Sequence, residues 1–318
     1  MKLLYDPVFL EHDTGMHPEN PKRLEPFENL PTTPAPNGER YLTLIHSPAY
    51  IDKVRHACEF GIHLDADTAT SPGSFEAAIR AVGATIQASE QGDFALVRPP
   101  GHHAYPEKAS GFCLFNNVSI AAENLARQGK KVLICDFDGH LGDGTSAIFY
   151  ESKQVMYWSM HQYPAFPGHG WTNETGKGEG KGYTLMCPLP PNSGDDIFMD
   201  AFTAFLPIAE QFQPDVVAVS AGFDAHQYDL LLDLRTTAGT YFKIGKMLRE
   251  RFGHIFATLE GGYNVEELPL CVDNFVAGIN GNAMPHEEKP TESTLQIWQT
   301  YELNLQSAIL QLRPYWKF

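Results

Sequence analysis

The sequence predicts an α/β fold built around a parallel sheet, because strand patterns and helix patterns alternate along the chain. Four apolar, β-branched runs do not alternate between two faces, which is typical of strands buried on both sides. These runs occupy residues 131–135, 155–158, 215–219 and 254–258. Apolar residues recur at three-to-four spacing, as in helices, in the segments 74–91, 117–128, 196–212 and 238–252. Strands that alternate with helices usually pair in parallel.

The ends of these segments carry further signals. Ser71 and Pro72 precede the first helix and resemble a capping residue followed by an N-terminal proline, and Gly129 is expected to end the second helix. Residues 168–182 are rich in glycine and are predicted to form a long loop. A phosphate-binding loop would open a helix, whereas this segment runs into the strand pattern at 183–187. We therefore exclude nucleotide binding here.

Length and pattern favour a single catalytic domain over residues 1–318. An α/β fold with one continuous sheet commonly reaches this length. A polar, proline-containing stretch at 282–294 leads into a helix pattern at 295–312. We therefore expect the domain to finish in a helical extension from about residue 295. No internal repeat or independent second domain is visible.

Composition narrows the class of partner. The chain carries 23 basic and 39 acidic side chains, a formal net charge of −16. Such a field repels nucleic acid and favours cationic substrates, although net acidity often reflects only solubility. No run approaches the roughly 18 apolar residues of a membrane span, and no secretory signal is visible, so we expect a cytoplasmic protein. The five cysteines are scattered and never spaced as a zinc or redox pair.

Carboxylates and an imidazole follow two of the predicted strands. Asp138 and His140 come after the strand at 131–135, and Asp224 comes after the strand at 215–219. The carboxyl ends of parallel strands meet in one crevice, so these side chains can share one cation. One imidazole and two carboxylates leave a position open on a tetrahedral zinc ion, as a hydrolytic site requires. A single aspartate here would be interpreted as a helix cap, but three convergent residues favour a metal site.

Two adjacent histidines and a tyrosine complete the candidate chemistry. His102 and His103 follow a rigid Pro-Pro-Gly turn after the apolar run at 94–97. A carboxylate that fixes a histidine's tautomer makes it a useful base, and Asp136 and Asp143 are the candidate partners. Tyr263 follows two glycines at another strand end and could donate to an oxyanion; its alternative interpretation is a core tyrosine with a solvated hydroxyl.

Taken together, these motifs resemble the zinc-dependent histone deacetylase family, which includes the histone deacetylase-like and acetylpolyamine amidohydrolases and acetoin utilization proteins. The order of the motifs matches as well, and the resemblance, of a bacterial type, covers about the first 280 residues. The motifs are His17-Pro-Glu-x-Pro-x-Arg23-Leu24, Gly101-His-His103, Gly111-Phe-Cys-Leu-Phe-Asn-Asn117, Asp136-Phe-Asp138-x-His140, Ala221-Gly-Phe-Asp224-Ala and Glu260-Gly-Gly-Tyr263. The resemblance implies an arginase-like, three-layer α/β/α sandwich with a central, mostly parallel sheet.

The resemblance also implies a role for each site residue. One Zn²⁺ would be held by three residues, namely Asp138, His140 and Asp224. His103 would be the main general base and acid, assisted by His102, and Tyr263 would hydrogen-bond the oxyanion. Asp136 would orient His102, and Asp143 would orient His103. Arg23 would lie near the inner end of the site, where acetate forms.

Two further sets of residues follow from the resemblance. The narrow channel for the aliphatic stem of the substrate would be lined by Asp67, Gly111, Phe112, Phe166 and Leu231. A structural monovalent cation, expected to be K⁺, would be surrounded mostly by backbone oxygens of Asp136, Asp138, His140, Ser159 and Met160.

The chain departs from the family pattern at two places. The family commonly has a second histidine where this chain has Leu141, which puts local packing in doubt but not metal binding. After Asp224 the family often continues with Asp-Pro-Leu, whereas this chain reads Asp229-Leu-Leu-Leu232. Relatives that prefer acetylated polyamines can carry an acidic gatekeeper in this region. None is evident here, although Asp229 and Asp233 lie close to the position.

We therefore expect a zinc-dependent amide hydrolase that removes an acetyl or another short acyl group from an amine such as acetyl-lysine. An acetylpolyamine or other small-molecule amidohydrolase is the alternative. A two-manganese ureohydrolase would need another carboxylate in place of His226, and a non-catalytic acyl-lysine binder or sequestering protein would lack catalytic groups. The expected partner is an acylated amine, with no nucleic acid and no membrane; an oligomer, and Fe²⁺ in place of Zn²⁺, stay open.

Overall fold

A computed structural model describes all residues, Met1–Phe318. Seven strands form one sheet in the order β1-β2-β7-β6-β3-β4-β5, and every neighbouring pair is parallel. The strands are β1 Leu3–Leu4, β2 Phe94–Ala95, β3 Val132–Asp136, β4 Val155–Gln162, β5 Thr184–Leu189, β6 Val216–Ala221 and β7 Ile255–Leu259. All residues of the five longer strands are buried, as their unbroken apolar runs predict.

Helices cover both faces of this sheet. They are α1 Pro48–Phe60, α2 Ser74–Gln91, α3 Asn117–Ala126, α4 Asp143–Phe149, α5 Asp195–Phe212, α6 Ala238–Arg251, α7 Leu268–Asn280 and α8 Leu295–Leu312. Helices α2 and α3 pack on each other, whereas α5, α6 and α7 form a separate group. The predicted three-layer α/β/α sandwich is confirmed. None of the helices combines the length and apolar character that a membrane span needs.

The sequence patterns located the long elements but not all of their ends. The predicted helices 74–91 and 295–312 are confirmed to the residue, whereas α3 ends at Ala126 and Gly129 follows in the left-handed region, with φ +85°. The predicted cap of α2 was wrong. Gly73 is its N-cap, because Ser71 is already engaged in a turn in which its N–H donates to Ser74 Oγ at 2.8 Å.

The C-terminal helix α8 lies along the edge strand β5. Asn304 Nδ2 donates to the carbonyl of Pro188 at 3.1 Å, and the Tyr301 hydroxyl donates to Asp200 on α5 at 2.7 Å. Beyond the helix, Trp316 Nε1 donates to the carbonyl of Gly182 at 2.6 Å. An uncovered sheet edge offers unpaired backbone groups to other chains, so this helix shields the end of the sheet.

Candidate functional site

The carboxyl ends of four adjacent strands bring the predicted site residues together. Asp136, the last residue of β3, pairs in register with Ser159 on β4 and Ser220 on β6. The neighbouring strand β7 ends at Leu259, just before the segment that leads to Tyr263. Parallel strands place all these ends on one edge of the sheet, which is where α/β folds form their clefts.

Asp138, His140 and Asp224 form a compact and buried cluster. One potential ligand atom from each lies within 4.8 Å of the others. His140 Nδ1 is 2.8 Å from Asp224 Oδ2 and 3.4 Å from Asp138 Oδ1. Gly222 leaves room for the cluster, since a Cβ at that position would lie 1.8 Å from Asp138 Oδ2. Two carboxylates and one imidazole are donors that suit a divalent metal ion.

The charges within this cluster are strongly coupled. Burial and the nearby Asp138 carboxylate raise the pKa of Asp224 to about 7. Burial disfavours the charged form of His140, but Asp224 and Asp138 outweigh it and raise the pKa of His140 to about 10. A cation between these side chains would relieve the repulsion of the two buried carboxylates. The cluster therefore fits a metal ion on electrostatic as well as geometric grounds.

Each of the adjacent histidines contacts one carboxylate. His102 Nδ1 lies 3.2 Å from Asp136 Oδ2, and His103 Nδ1 lies 2.6 Å from Asp143 Oδ1. The rings themselves are 4.0 Å apart between centroids. With Nδ1 hydrogen-bonded to a carboxylate, each neutral ring carries its hydrogen on Nδ1 and leaves Nε2 as an acceptor. His103 also lines a cavity that His140 of the metal cluster borders.

The two histidines favour different charges. Burial acts against the charged form of His102, but Asp138 and Asp136 outweigh it and raise the pKa of His102 well above its usual value. Burial and the neighbouring His102 lower the pKa of His103 to about 4, against the opposing effect of Asp143. The pair therefore combines a charged ring with a neutral one, as distinct electrostatic and proton-accepting roles require.

A narrow cavity of about 200 Å³ opens onto the cluster. Its lining comprises Asp67, His103, Gly111, Phe112, His140, Phe166, Leu231 and Tyr263. The set includes all five residues that the sequence analysis assigned to the channel. Phe112 adopts φ +69°, a conformation that costs energy for a bulky residue and that often marks a functional site. The ring of Phe166 meets that of His103 edge to face, with centroids 5.1 Å apart.

Tyr263 is buried beside this cavity, and its hydroxyl makes no hydrogen bond within the protein. Its ring meets Phe112 edge to face at 5.6 Å, and the Arg23 guanidinium lies 4.9 Å from the ring centre. Burial raises the pKa of Tyr263 well above its usual value, so the hydroxyl keeps its hydrogen. Tyr263 therefore offers a free donor to a ligand in the cavity.

The residues assigned to a monovalent cation surround the end of β3. Asp138 and His140 are buried, yet their carbonyl oxygens accept no hydrogen bond from the protein. Buried carbonyls are normally paired, so these two oxygens call for a partner. Ser159 lies next to Asp136 in the sheet, with Met160 following on the same strand. The site residues therefore fit a cation that is bound by oxygen atoms.

Comparisons with known proteins agree with this geometry. The family model for the histone deacetylase domain matches residues 17–279. A probable deacetylase of Archaeoglobus fulgidus is 34% identical over 88% of this chain and 86% of its own. The histone deacetylase-like amidohydrolase of Pseudomonas aeruginosa is 33% identical over 74% of this chain and 67% of its own. The crystal structure of the HDA15 HD domain, 30% identical, superimposes with a TM-score of 0.88 over 99% of this chain and 94% of that one.

The chain belongs to the histone deacetylase family. It is accordingly a hydrolase that acts on amides, and the predicted family and enzyme class are confirmed. The match by structure extends almost to the end of the chain and so includes α8, beyond the residues that the family model covers.

Several residues that support this deacetylase site were missed or given no role by the sequence analysis. The Tyr157 hydroxyl donates to Asp136 Oδ2 at 2.8 Å, and the Tyr105 hydroxyl donates to Asp143 Oδ2 at 2.9 Å. Glu260 Oε2 accepts the N–H groups of Gly101 and His102 at 2.7 and 3.0 Å. Glu260 could have been recognised, because a carboxylate directly after a buried strand requires a partner.

A second group of possible ligands, His226, Glu267 and Glu288, lies outside the deacetylase site. His226 Nδ1 faces the N–H of Tyr228, so its hydrogen lies on Nε2, which donates to Glu288 Oε2 at 3.1 Å. The same oxygen accepts the N–H of Ala238 at 2.6 Å and so caps α6. The hydrogen bonds of His226 are therefore satisfied without a metal. His226 does not join the Asp138 cluster, where a second metal would need it.

The segment after Asp224 contains one residue that lines the cavity and two aspartates that do not. Leu231 lines the cavity as predicted by position, whereas Asp233 is exposed and lies outside the lining. Asp229 is partly buried, and its two carboxylate oxygens accept four backbone N–H groups. A carboxylate that is saturated in this way does not present its charge to the channel. Asp67 is the one acidic side chain that lines the cavity.

Proposed function

We propose that this protein is a zinc-dependent deacetylase that removes an acetyl or another short acyl group from an N-acylated amine such as acetyl-lysine. One observation carries the proposal. His140 of the candidate metal cluster, the ring of His103 and Tyr263 with its free hydroxyl all line the same narrow cavity. These are the three elements that amide hydrolysis needs: an ion that polarises the carbonyl, a base, and a donor to the oxyanion.

Asp138, His140 and Asp224 would hold the zinc ion. Their burial, their separation and their donor atoms fit one ion with a position left open. A zinc ion bound there would supply Lewis acidity towards a water molecule and the amide carbonyl. A two-manganese ureohydrolase would need further ligands, but His226 is committed to Glu288.

The remaining chemistry belongs to side chains of the protein. Asp143 holds the His103 ring through Nδ1, so that Nε2 can take the proton of the attacking water and pass it to the leaving amine. His102, held by Asp136, supplies positive charge beside the reacting carbonyl. Tyr263 donates its hydroxyl hydrogen to the oxyanion as the tetrahedral intermediate forms.

A monovalent cation, which we propose to be K⁺, would bind Asp136, Asp138, His140, Ser159 and Met160. The unpaired carbonyls of Asp138 and His140 support this assignment. Asp138 and His140 also belong to the proposed zinc site. The cation would therefore stiffen the turn after β3 rather than take part in the reaction.

The cavity favours acyl-lysine over an acylated polyamine. Phe112 and Phe166 flank a space that suits an aliphatic stem, and Asp229 does not offer its charge to a second amine. Asp67 lines the same cavity, and we propose that it accepts a backbone N–H of a peptide substrate. We also propose a cytoplasmic location with no nucleic acid or membrane as partner, because the net charge of −16 would repel nucleic acid.

The decisive experiment compares acetyl-lysine peptides, longer acyl-lysines and acetylated polyamines by kcat/KM, using zinc-loaded enzyme. We expect acetyl-lysine peptides to be hydrolysed most efficiently and acetylated polyamines poorly. In the same assay, Tyr263→Phe and His103→Ala should each lower kcat/KM about a hundredfold or more without loss of fold, because each removes a group that acts in the transition state. Wild-type rates in both variants would refute the mechanism, and a clear preference for polyamines would refute the substrate class.

A further inference from the structure

The loop that presents Tyr263 is held on one side by Arg23. This guanidinium donates from Nε to the carbonyl of Gly262 and from Nη2 to the carbonyl of Glu260, both at 2.6 Å. Glu19 accepts a hydrogen bond from Arg23 Nη1 at 3.1 Å, and both charged side chains are fully buried. Gly262 adopts φ +114°, a conformation that L side chains rarely adopt, so the chain turns sharply just before the tyrosine.

The opposite side of the same loop is held by Asp229. Its Oδ2 atom accepts the N–H of Tyr263 at 2.6 Å and the N–H of Asn264 at 3.1 Å. The side chain of Asn264 adds a hydrogen bond between the same two segments, because its Nδ2 donates to the carbonyl of Tyr228 at 2.8 Å. The backbone on either side of the tyrosine is thus fixed by charged groups, through its carbonyls at Arg23 and its N–H groups at Asp229.

Asp229 also fixes the wall of the channel. Its other oxygen, Oδ1, accepts the N–H of Leu230 at 2.7 Å and the N–H of Leu231 at 3.2 Å. Leu231 lines the same cavity as His103 and Tyr263. The family often has proline after this aspartate, and a proline has no N–H to donate. Leu230 of this chain does have one, so it adds a hydrogen bond to Asp229 that a proline could not make.

We propose that Asp229 is a positioning residue, whose carboxylate joins the Tyr263 loop and the channel wall at Leu231 into one rigid unit. This inference rests on the proposed function, in which Tyr263 stabilises the oxyanion. A donor to an oxyanion acts only when it is held at the right distance, so movement of the loop by about 1 Å would cost much of its effect. Asp229 would not itself touch the substrate.

The test is Asp229→Asn, with Asp233→Asn as the matched control. Asparagine keeps the size of the side chain, but its single oxygen can accept only one of the two pairs of N–H groups, and its NH₂ group would face the other pair without accepting it. Asp233 follows four residues later, it is exposed and lies outside the cavity lining, and its substitution removes the same charge. We expect Asp229→Asn to lower kcat about tenfold or more with a smaller change in KM, and Asp233→Asn to match the wild type.

A double-mutant cycle separates positioning from a general structural defect. If Asp229 acts through Tyr263, then Asp229→Asn should cost less than about twofold in a Tyr263→Phe background, because the positioned hydroxyl is already absent. Amide hydrogen exchange supplies a readout that does not depend on activity. At least one of the two N–H pairs, Tyr263 with Asn264 or Leu230 with Leu231, should exchange faster in Asp229→Asn than in the wild type or in Asp233→Asn, while zinc content stays unchanged.

The outcomes distinguish this inference from the proposed function. Equal losses in both backgrounds, or unchanged exchange at both N–H pairs, would overturn the role of Asp229 alone. A Tyr263→Phe variant with wild-type activity would instead overturn the oxyanion role of the tyrosine. The positioning role would be established by faster amide exchange in Asp229→Asn together with a loss of activity that appears only when Tyr263 is intact.

Discussion

His46 shows how one buried side chain links the support of the site to pH. Its Nε2 accepts the N–H of Asn116 at 3.0 Å, and its Nδ1 faces the carbonyl of Pro106 at 3.3 Å. Asn116 in turn donates from its side chain to the carbonyl of Ala104, next to the paired histidines. Burial lowers the pKa of His46 to about 4, more than the carbonyls of Pro106 and Tyr105 raise it. A proton on Nε2 would break the bond to Asn116.

We predict that His46→Gln will make the free energy of unfolding depend less on pH in the acidic range. The folded state holds the pKa of His46 near 4, below its value of 6.5 in the unfolded chain, so the unfolded state binds the proton first. Stability from this group is complete above pH 6.5 and is lost as the pH falls towards 4, by about 3 kcal/mol. Denaturant unfolding at several pH values measures it, and exposed His63→Gln is the control. Superimposable profiles for His46→Gln and wild type would contradict the assignment.

At the residue scale, sequence patterns could locate the groups at strand ends but not their supports. Asp138 and Asp224 each lie shortly after a buried strand, since β3 ends at Asp136 and β6 at Ala221, and parallel pairing forces those ends together. Tyr157 lies in the middle of β4, and its hydroxyl reaches Asp136 only because β3 and β4 are neighbours. A strand pattern does not reveal which other strand lies beside it, so such partners could not be predicted.

At the scale of whole elements, helix α8 illustrates a pattern whose partner was not visible in the sequence. The 3.6-residue periodicity predicted its bounds, whereas its docking on β5 depends on tertiary contacts. Helices α1, α4 and α7 were not predicted. Helix α4, Asp143–Phe149, is short, and it follows the metal-site turn, where functional residues replace the usual capping signals. Local rules are least reliable next to a site.

We predict that Tyr301→Phe will weaken the attachment of α8. The buried ring would stay in place, but the hydrogen bond from its hydroxyl to Asp200 would be lost. Because Asp200 is exposed and can bind water instead, the free energy of unfolding should fall by only about 1 kcal/mol. Urea denaturation measures this change, and Tyr315→Phe, in an exposed ring of the same region, should have almost no effect. Equal stability of the two variants would refute a role for this bond.

At the scale of the whole molecule, alternation of strands and helices sufficed for the fold class but not for the strand order. The sheet runs β1-β2-β7-β6-β3-β4-β5, so β3 lies between β4 and β6, strands that follow it in the chain. Any order of parallel strands would satisfy the same alternation, and packing of side chains between layers decides among them. The observed order places Asp136, Asp138 and Asp224 near one point and so concentrates negative charge at the carboxyl ends of the central strands.

We predict that this concentration of charge makes the stability of the fold depend on its metal. Without a cation, Asp138 and Asp224 repel each other in a buried site, and binding to the folded state alone adds about 2.7 kcal/mol at a hundredfold excess of ion over Kd. Chelation should therefore abolish amide hydrolysis and lower the Tm, and added Zn²⁺ should restore both. Elemental analysis should find one zinc per chain, retained in His226→Ala and lost in Asp224→Asn. Two manganese ions per active chain, or an unchanged Tm after complete removal of metal, would contradict a single structural and catalytic ion at Asp138, His140 and Asp224.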